Sequence, residues 1–104
     1  MKYEDKLKLV VSELHERRQL TIKGFPTMLV IDETFVFGVL FDEVWKILLK
    51  LMTEEKILKA DKRSFVEEYA GFMTNKTEYR VEYWGKFDDW YVKRHSNEAG
   101  EVGR

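Results

Sequence analysis

The sequence predicts one small α+β domain, on the basis of its size, its apolar content and its mixture of periodic patterns. The chain has 104 residues, a common size for a single domain. Apolar residues make up 44% of it, enough to fill an interior. We expect an N-terminal amphipathic helix, an antiparallel sheet with a central core helix, and a C-terminal aromatic β-hairpin. Residues 1–95 would form the domain, and residues 96–104 a flexible tail.

The first segment has the periodicity of an amphipathic helix. Residues that share one helical face follow each other at intervals of three or four, with one adjacent pair. They are Tyr3, Leu7, Val10, Val11, Leu14 and Arg18. Opposite charges four residues apart, such as Glu4 and Lys8, support the same helix.

Two extended runs follow, over residues 28–31 and 35–41, and three polar residues separate them. Their β-branched and aromatic residues predict a hairpin. The second run could equally form the buried first turns of the next helix, since periodicity does not distinguish the two. From Asp42 the helical pattern is clear, and Asp42 is the expected N-cap of the central helix.

The second half of the chain predicts a third helix and then the aromatic hairpin. Ser64 and Glu67 have the spacing of a capping box, which favours a helix over residues 64–73. A strand over residues 65–69 is the competing interpretation. Residues 77–84 and 90–95 are then expected to pair around a four-residue loop, with Tyr83 opposite Trp90.

Composition and motifs exclude several classes of function. The chain has no Cys, and its formal net charge is −1. Thiolate chemistry, zinc fingers and strongly basic nucleic-acid binding are therefore excluded. The only histidines are His15 and His95, and no nucleophile elbow or phosphate loop is present. Asp32 and Asp88 are interpreted as turn residues. We therefore expect no catalytic residue, no metal site and no cofactor, so the chain is predicted not to be an enzyme.

The sequence also predicts that the chain does not enter a membrane. Its longest apolar run, residues 35–41, is far shorter than the roughly 20 residues that a membrane-spanning helix needs. The N-terminus alternates charges and lacks the apolar segment of a signal peptide. The expected location is the cytoplasm.

Six aromatic residues within positions 79–91 indicate a protein-binding surface on the predicted C-terminal hairpin. One face of a two-stranded ribbon cannot bury all of them, and Tyr, Trp and Arg dominate interface hot spots. The expected contact residues are Arg80, Trp84, Lys86, Phe87, Tyr91 and Lys93. The partner would be another protein or a second copy in a homodimer. The competing interpretation is that all these rings belong to the core.

The predicted order of elements also resembles that of winged-helix DNA-binding domains. The helix over residues 64–73 would be the recognition helix and the aromatic hairpin the wing. The candidate phosphate contacts are Lys56, Lys59, Lys62 and Arg63. However, the polar side of that helix carries Glu67 and Glu68 and no basic residue, which disfavours readout of DNA. A DNA-binding regulator is therefore the alternative hypothesis.

Overall fold

The N-terminal helix is present as predicted. The computed structural model describes the backbone of residues 2–23 and 28–102 and the side chains of residues 2–20 and 28–95. Helix α1 spans Tyr3–Lys23. Four residues of its apolar stripe are buried, while Leu9, which lies off the stripe, is 40% exposed. The buried residues are Leu7, Val10, Val11 and Leu14. Residues 24–27, where the sequence has Gly and Pro, lie outside the described part.

The first predicted hairpin is only half correct. Strand β1 spans Met28–Ile31, as expected. The second run is not a strand, because residues 33–39 form successive turns and bends. Backbone hydrogen bonds from Phe35 to Asp32 (3.2 Å) and from Val39 to Val36 (3.3 Å) close these turns. The side chains of Phe35, Val36 and Val39 are buried in the core. The run is therefore apolar because it is buried, and not because it pairs as a strand.

The central helix, α2, spans Phe41–Lys50 and continues directly into a π-helical turn, Leu51–Glu55. Val44, Ile47 and Leu48 face the core. The N-cap residue is Leu40, and it makes no side-chain capping bond, so the prediction that Asp42 caps the helix is wrong. Asp42 lies in the first turn, where a carboxylate still interacts favourably with the helix dipole.

The predicted helix over residues 64–73 is wrong, because this stretch belongs to a long hairpin. Strands β2, Leu58–Tyr69, and β3, Phe72–Tyr83, pair antiparallel along their whole length. The competing strand interpretation of residues 65–69 is therefore confirmed. β1 pairs with the other side of β3, which gives a three-stranded antiparallel sheet of order β1-β3-β2. Pairing with twelve residues of β3 outweighs the local capping-box signal.

The predicted C-terminal aromatic hairpin is also wrong in its second half. Its first strand lies within β3, but helix α3 spans Lys86–Val102. Phe87, Trp90, Tyr91 and Arg94 follow a spacing of three, four and seven, which is a helical period. The backbone of α3 extends through the predicted tail to Val102. The flexibility of that tail and the domain boundary at residue 95 stay predictions.

All three helices pack on one face of the sheet, so the α+β class with an antiparallel sheet is confirmed. The core joins α1, α2 and α3 to alternate residues of the three strands. The strand residues that it contains are Leu29, Ile31, Leu58, Ala60, Tyr79 and Val81. The molecule is nevertheless elongated, with extents of 59 × 33 × 24 Å and a radius of gyration of 15.4 Å. A compact domain of this length would have a radius of about 13 Å.

Candidate interaction surface

The elongation comes from the β2–β3 hairpin, which projects beyond the rest of the sheet. β1 covers β3 only from Tyr79 to Glu82. Beyond that point β2 and β3 pair only with each other, and every residue from 62 to 76 is exposed. We call residues 62–76 the arm. It is a two-stranded ribbon without a covering layer in the part of the chain that the structure describes.

A two-residue loop closes the arm. Ala70 and Gly71 both have positive φ angles, 51° and 84°, as a type I′ turn requires. This turn places Tyr69 opposite Phe72 and fixes the register of the whole hairpin. The sequence signal for this loop was a single Gly between two runs rich in β-formers.

Five large apolar side chains of the arm are exposed to solvent, and together we call them the arm patch. Phe65, Tyr69 and Phe72 lie on the open face of the sheet, and Val66 and Met73 lie on the opposite face. Their exposed fractions are 37% for Phe65, 55% for Val66, 81% for Tyr69, 73% for Phe72 and 69% for Met73. Solvation of apolar groups is unfavourable, so a cluster of this kind marks an interaction site more often than a surface without a role. Sequence reasoning missed these residues because it placed them in an amphipathic helix.

The charges of the hairpin are balanced and arranged in opposite pairs. On the sheet face that the helices leave open, Lys59 lies opposite Glu82 and Arg63 opposite Glu78. Cross-strand pairs of opposite charge stabilise an antiparallel ribbon by a few tenths of a kcal/mol each. Over residues 58–83 there are five basic and five acidic side chains. The surface therefore has no net charge that would attract a polyanion.

The outer edge of β2 is free along the arm but covered at its root. The backbone N–H of Ala60 points away from β3 and donates to Sδ of Met52 at 3.3 Å. Because hydrogen-bonding direction alternates along a strand, the N–H and C=O groups of Lys62, Ser64, Val66 and Glu68 point to the same edge. No protein group in the described structure covers that edge beyond Ala60, as the exposure of residues 61–70 shows.

Two tyrosines anchor the root of the arm to the helices. The Tyr79 hydroxyl donates to the carbonyl oxygen of Phe41 at 2.9 Å, and its ring stacks on the Phe41 ring at 3.9 Å. The Tyr83 hydroxyl donates to the carbonyl oxygen of Leu14 at 2.8 Å. Burial raises the pKa of Tyr79 to about 12 and also raises the pKa of Tyr83. These contacts fix the direction in which the arm leaves the core.

The predicted protein-binding residues do not share one surface. Arg80 lies on the open sheet face and forms an ion pair with Glu78 at 3.4 Å. Trp84, 43% exposed, follows β3, and Lys86 begins α3. Phe87 is fully buried, so its assignment as an exposed contact is wrong. Its helical position turns the ring into the core, where it meets Tyr83 edge-on at 4.9 Å.

The two remaining predicted contacts lie on α3. Tyr91 packs against α1, where its ring stacks on His15 at 3.9 Å. Lys93 is exposed on the far side of the helix. The aromatic residues of this region therefore serve mainly to join α3 to the core, as the competing interpretation held.

The predicted phosphate contacts are also dispersed. Lys56 ends the π-helical turn with a left-handed backbone, φ 55°. Lys59 and Arg63 point to the open face of the sheet, whereas Lys62 points to the opposite face. Acidic residues lie directly across the strand from the first two, so these four cations do not form one phosphate-binding surface.

The described residues offer little other chemistry. Asp32 accepts hydrogen bonds from the backbone N–H and the hydroxyl of Thr34, at 2.9 and 2.7 Å. These bonds lower the pKa of its carboxyl and agree with the predicted role of Asp32 in a turn. Within the described ranges, no group of three or more acidic or histidine side chains could hold a metal ion. In the same ranges, no helix is both long and apolar enough to cross a membrane.

Comparison with known proteins does not assign the chain to a family. Neither a protein-family model, nor a curated protein, nor a solved structure matches it. The arm is therefore identified as the candidate site from its geometry alone.

Proposed function

We propose that the chain is a non-enzymatic protein-interaction domain that associates with a second copy of itself through the arm. The observation that carries this proposal is the arm patch, five large apolar side chains on a ribbon that nothing in the described structure covers. A lone two-stranded ribbon is marginally stable in water. An arm of this length is better explained by a partner that buries it than by a role in the core.

The physical basis for association is apolar burial together with strand pairing. Each Å² of apolar surface removed from water contributes about 25 cal/mol, so covering the arm patch offers a driving force of several kcal/mol. The charged side chains that lie between the apolar residues of the arm would then determine which partner surface is complementary. Binding of a different protein is the other outcome that the same patch allows.

The oligomeric state in solution tests the proposal. Sedimentation equilibrium over micromolar to millimolar concentrations should show a reversible dimer. Replacing Phe65 and Val66 with Thr keeps β-propensity but removes apolar surface, and should weaken dimerisation by about tenfold or more. The matched control is Phe37→Thr, since Phe37 is 100% exposed but lies in the turns before α2. A parent protein that stays monomeric throughout would exclude self-association.

A winged-helix-like DNA-binding regulator is the second candidate, favoured by one observation. The order helix, strand, helix, hairpin is retained from α1 to β3, with α2 in place of the recognition helix expected at residues 64–73, although only one α-helix lies between β1 and the hairpin and α3 follows it. The exposed side of α2 carries Asp42 as well as Lys46 and Lys50, which weakens attraction to phosphate. A duplex-DNA gel shift at low salt that disappears on Lys62→Glu and Arg63→Glu would support this candidate.

A further inference from the structure

We propose that two copies of the chain pair their β2 strands antiparallel, edge to edge, about a two-fold axis at Phe65. This inference rests on the proposed self-association and specifies its register. The two three-stranded sheets would join into one continuous sheet of order β1-β3-β2-β2-β3-β1. Such pairing is the ordinary way in which an exposed sheet edge binds another chain.

The extent of the free edge selects this register. At the root, the backbone N–H of Ala60 already donates to Sδ of Met52. The residues whose backbone groups remain available run from Lys62 to Glu68, and their midpoint is Phe65. A two-fold axis at the midpoint uses all of this edge, with Lys62 opposite Glu68 of the second copy and Ser64 opposite its Val66. Each of these opposed pairs would exchange two N–H···O hydrogen bonds.

The side chains of β2 are complementary to themselves in this register. Lys62 meets Glu68 of the second copy on one face of the sheet, and Arg63 meets its Glu67 on the other. The two-fold axis repeats each ion pair. At the axis the two Phe65 rings face each other in a non-hydrogen-bonded pair, where side chains approach most closely. Aromatic pairs at such positions stabilise antiparallel sheets.

Neighbouring registers lack this complementarity. Side chains alternate between the two faces of a strand. The axis must therefore pass through a residue, and not between two residues, for opposed side chains to lie on the same face. An axis at Arg63 places that cation against its own copy. An axis at Ser64 opposes Asp61 to Glu67, and an axis at Val66 leaves no ion pair between the strands. Only the axis at Phe65 combines two kinds of ion pair with an apolar centre.

Charge exchange between chains tests the register. Lys62 lies opposite Tyr79 in its own hairpin and Glu68 opposite Met73, so neither loses a charged cross-strand neighbour when it is replaced. Lys62→Glu alone or Glu68→Lys alone should weaken dimerisation by about tenfold, because two ion pairs become repulsive. An equimolar mixture of the two variants should recover the parent affinity, since each heterodimer contains only opposite pairs.

Cysteine cross-linking reads the position of the axis directly, because the chain has no Cys of its own. Under mild oxidation Phe65→Cys should give a disulfide-linked dimer, since residues opposed in a non-hydrogen-bonded pair meet the distance that a disulfide requires. Ser64→Cys and Val66→Cys are the matched controls. In this register each lies about 7–8 Å from its own copy across the diagonal, too far for a disulfide.

The outcomes separate the register from the self-association on which it rests. Cross-linking confined to Phe65→Cys, together with recovery in the mixed charge variants, supports the axis at Phe65. A parent dimer that cross-links preferentially through residue 64 or 66, or that shows no recovery in the mixture, overturns the register but leaves self-association standing. A parent protein that is monomeric at every concentration overturns both. Circular dichroism of each variant confirms that the hairpin is retained.

Discussion

The two ends of the β2–β3 hairpin have the same backbone but opposite surroundings. At the root, Leu58 and Ala60 of β2 and Tyr79 and Val81 of β3 are buried under the helices. On the arm, no described side chain is buried, although pairing between the strands continues to the loop. Strand pairing therefore does not depend on a local core here. The root contributes the buried residues of the hairpin. Along the arm, the two-residue loop keeps the strands in register.

The difference shows in how each end uses its apolar residues. At the root they alternate strictly with charged ones, as expected of a sheet with one covered face. On the arm, Phe65 and Val66 are adjacent and therefore point to opposite faces. A ribbon that is apolar on both faces has no single buried side, which is consistent with contacts made along an edge and around the tip.

Truncating Phe87 of α3, which packs against the root, and Phe72 on the arm gives the largest expected contrast. Phe87→Ala should lower the free energy of unfolding by about 3–5 kcal/mol, because the ring is fully buried against Tyr83. Phe72→Ala should change it by less than about 0.5 kcal/mol, because that ring is 73% exposed. Urea unfolding followed by circular dichroism measures both.

Both measurements need a protein concentration at which the parent is monomeric, since dimerisation adds to apparent stability. If Phe87→Ala is too unstable to purify, Phe87→Leu should show a smaller loss of the same sign. A loss for Phe72→Ala as large as that for Phe87→Ala in the monomer would mean that the arm belongs to the core, and the contrast between the ends would be wrong.

The sequence predicted the root of this fold better than the arm. Helices α1 and α2 were recoverable because their apolar residues follow a helical period, and β1 was recoverable because its short run is apolar and rich in β-branched residues. The strand predicted over residues 77–84 lies in β3 as far as Tyr83, but its predicted pairing partner, residues 90–95, is wrong. The β2–β3 hairpin was missed because its two-residue loop is marked in the sequence by Gly71 alone, and because the capping-box spacing at Ser64 gave a misleading helical signal.

The proposed interaction site lies outside the residues that the sequence predicted for it. An aromatic hairpin was expected to bind a partner, but it was placed over residues 77–95 instead of at the arm. Trp90 and Tyr91 fit either a strand or a helix in a short window. A helix is favoured only when Phe87 is considered as well, because Phe87, Trp90 and Tyr91 then follow the i, i+3, i+4 spacing of a helical face. Acidic residues Asp88 and Asp89 in the first turn of α3 were a further helix signal.

Removing one hydroxyl at the root should give a smaller effect that depends on pH. Tyr79→Phe deletes the hydrogen bond to the carbonyl of Phe41 and should cost about 1 kcal/mol at neutral pH. Tyr69→Phe on the arm is the matched control, because that ring is 81% exposed, and should change stability by less than about 0.5 kcal/mol. Chemical denaturation at pH 7 distinguishes the two.

The pH dependence of the same variant follows from the raised pKa of Tyr79. Burial holds this pKa at about 12 in the folded protein, against about 10 in an unfolded chain. Between these values the folded state binds more protons than the unfolded state, so stability falls as pH rises from about 10 towards 12. Tyr79→Phe should make that alkaline fall shallower, and Tyr83 should account for part of the slope that remains. An unchanged slope in Tyr79→Phe would mean that the ring is not held buried at the root of the arm.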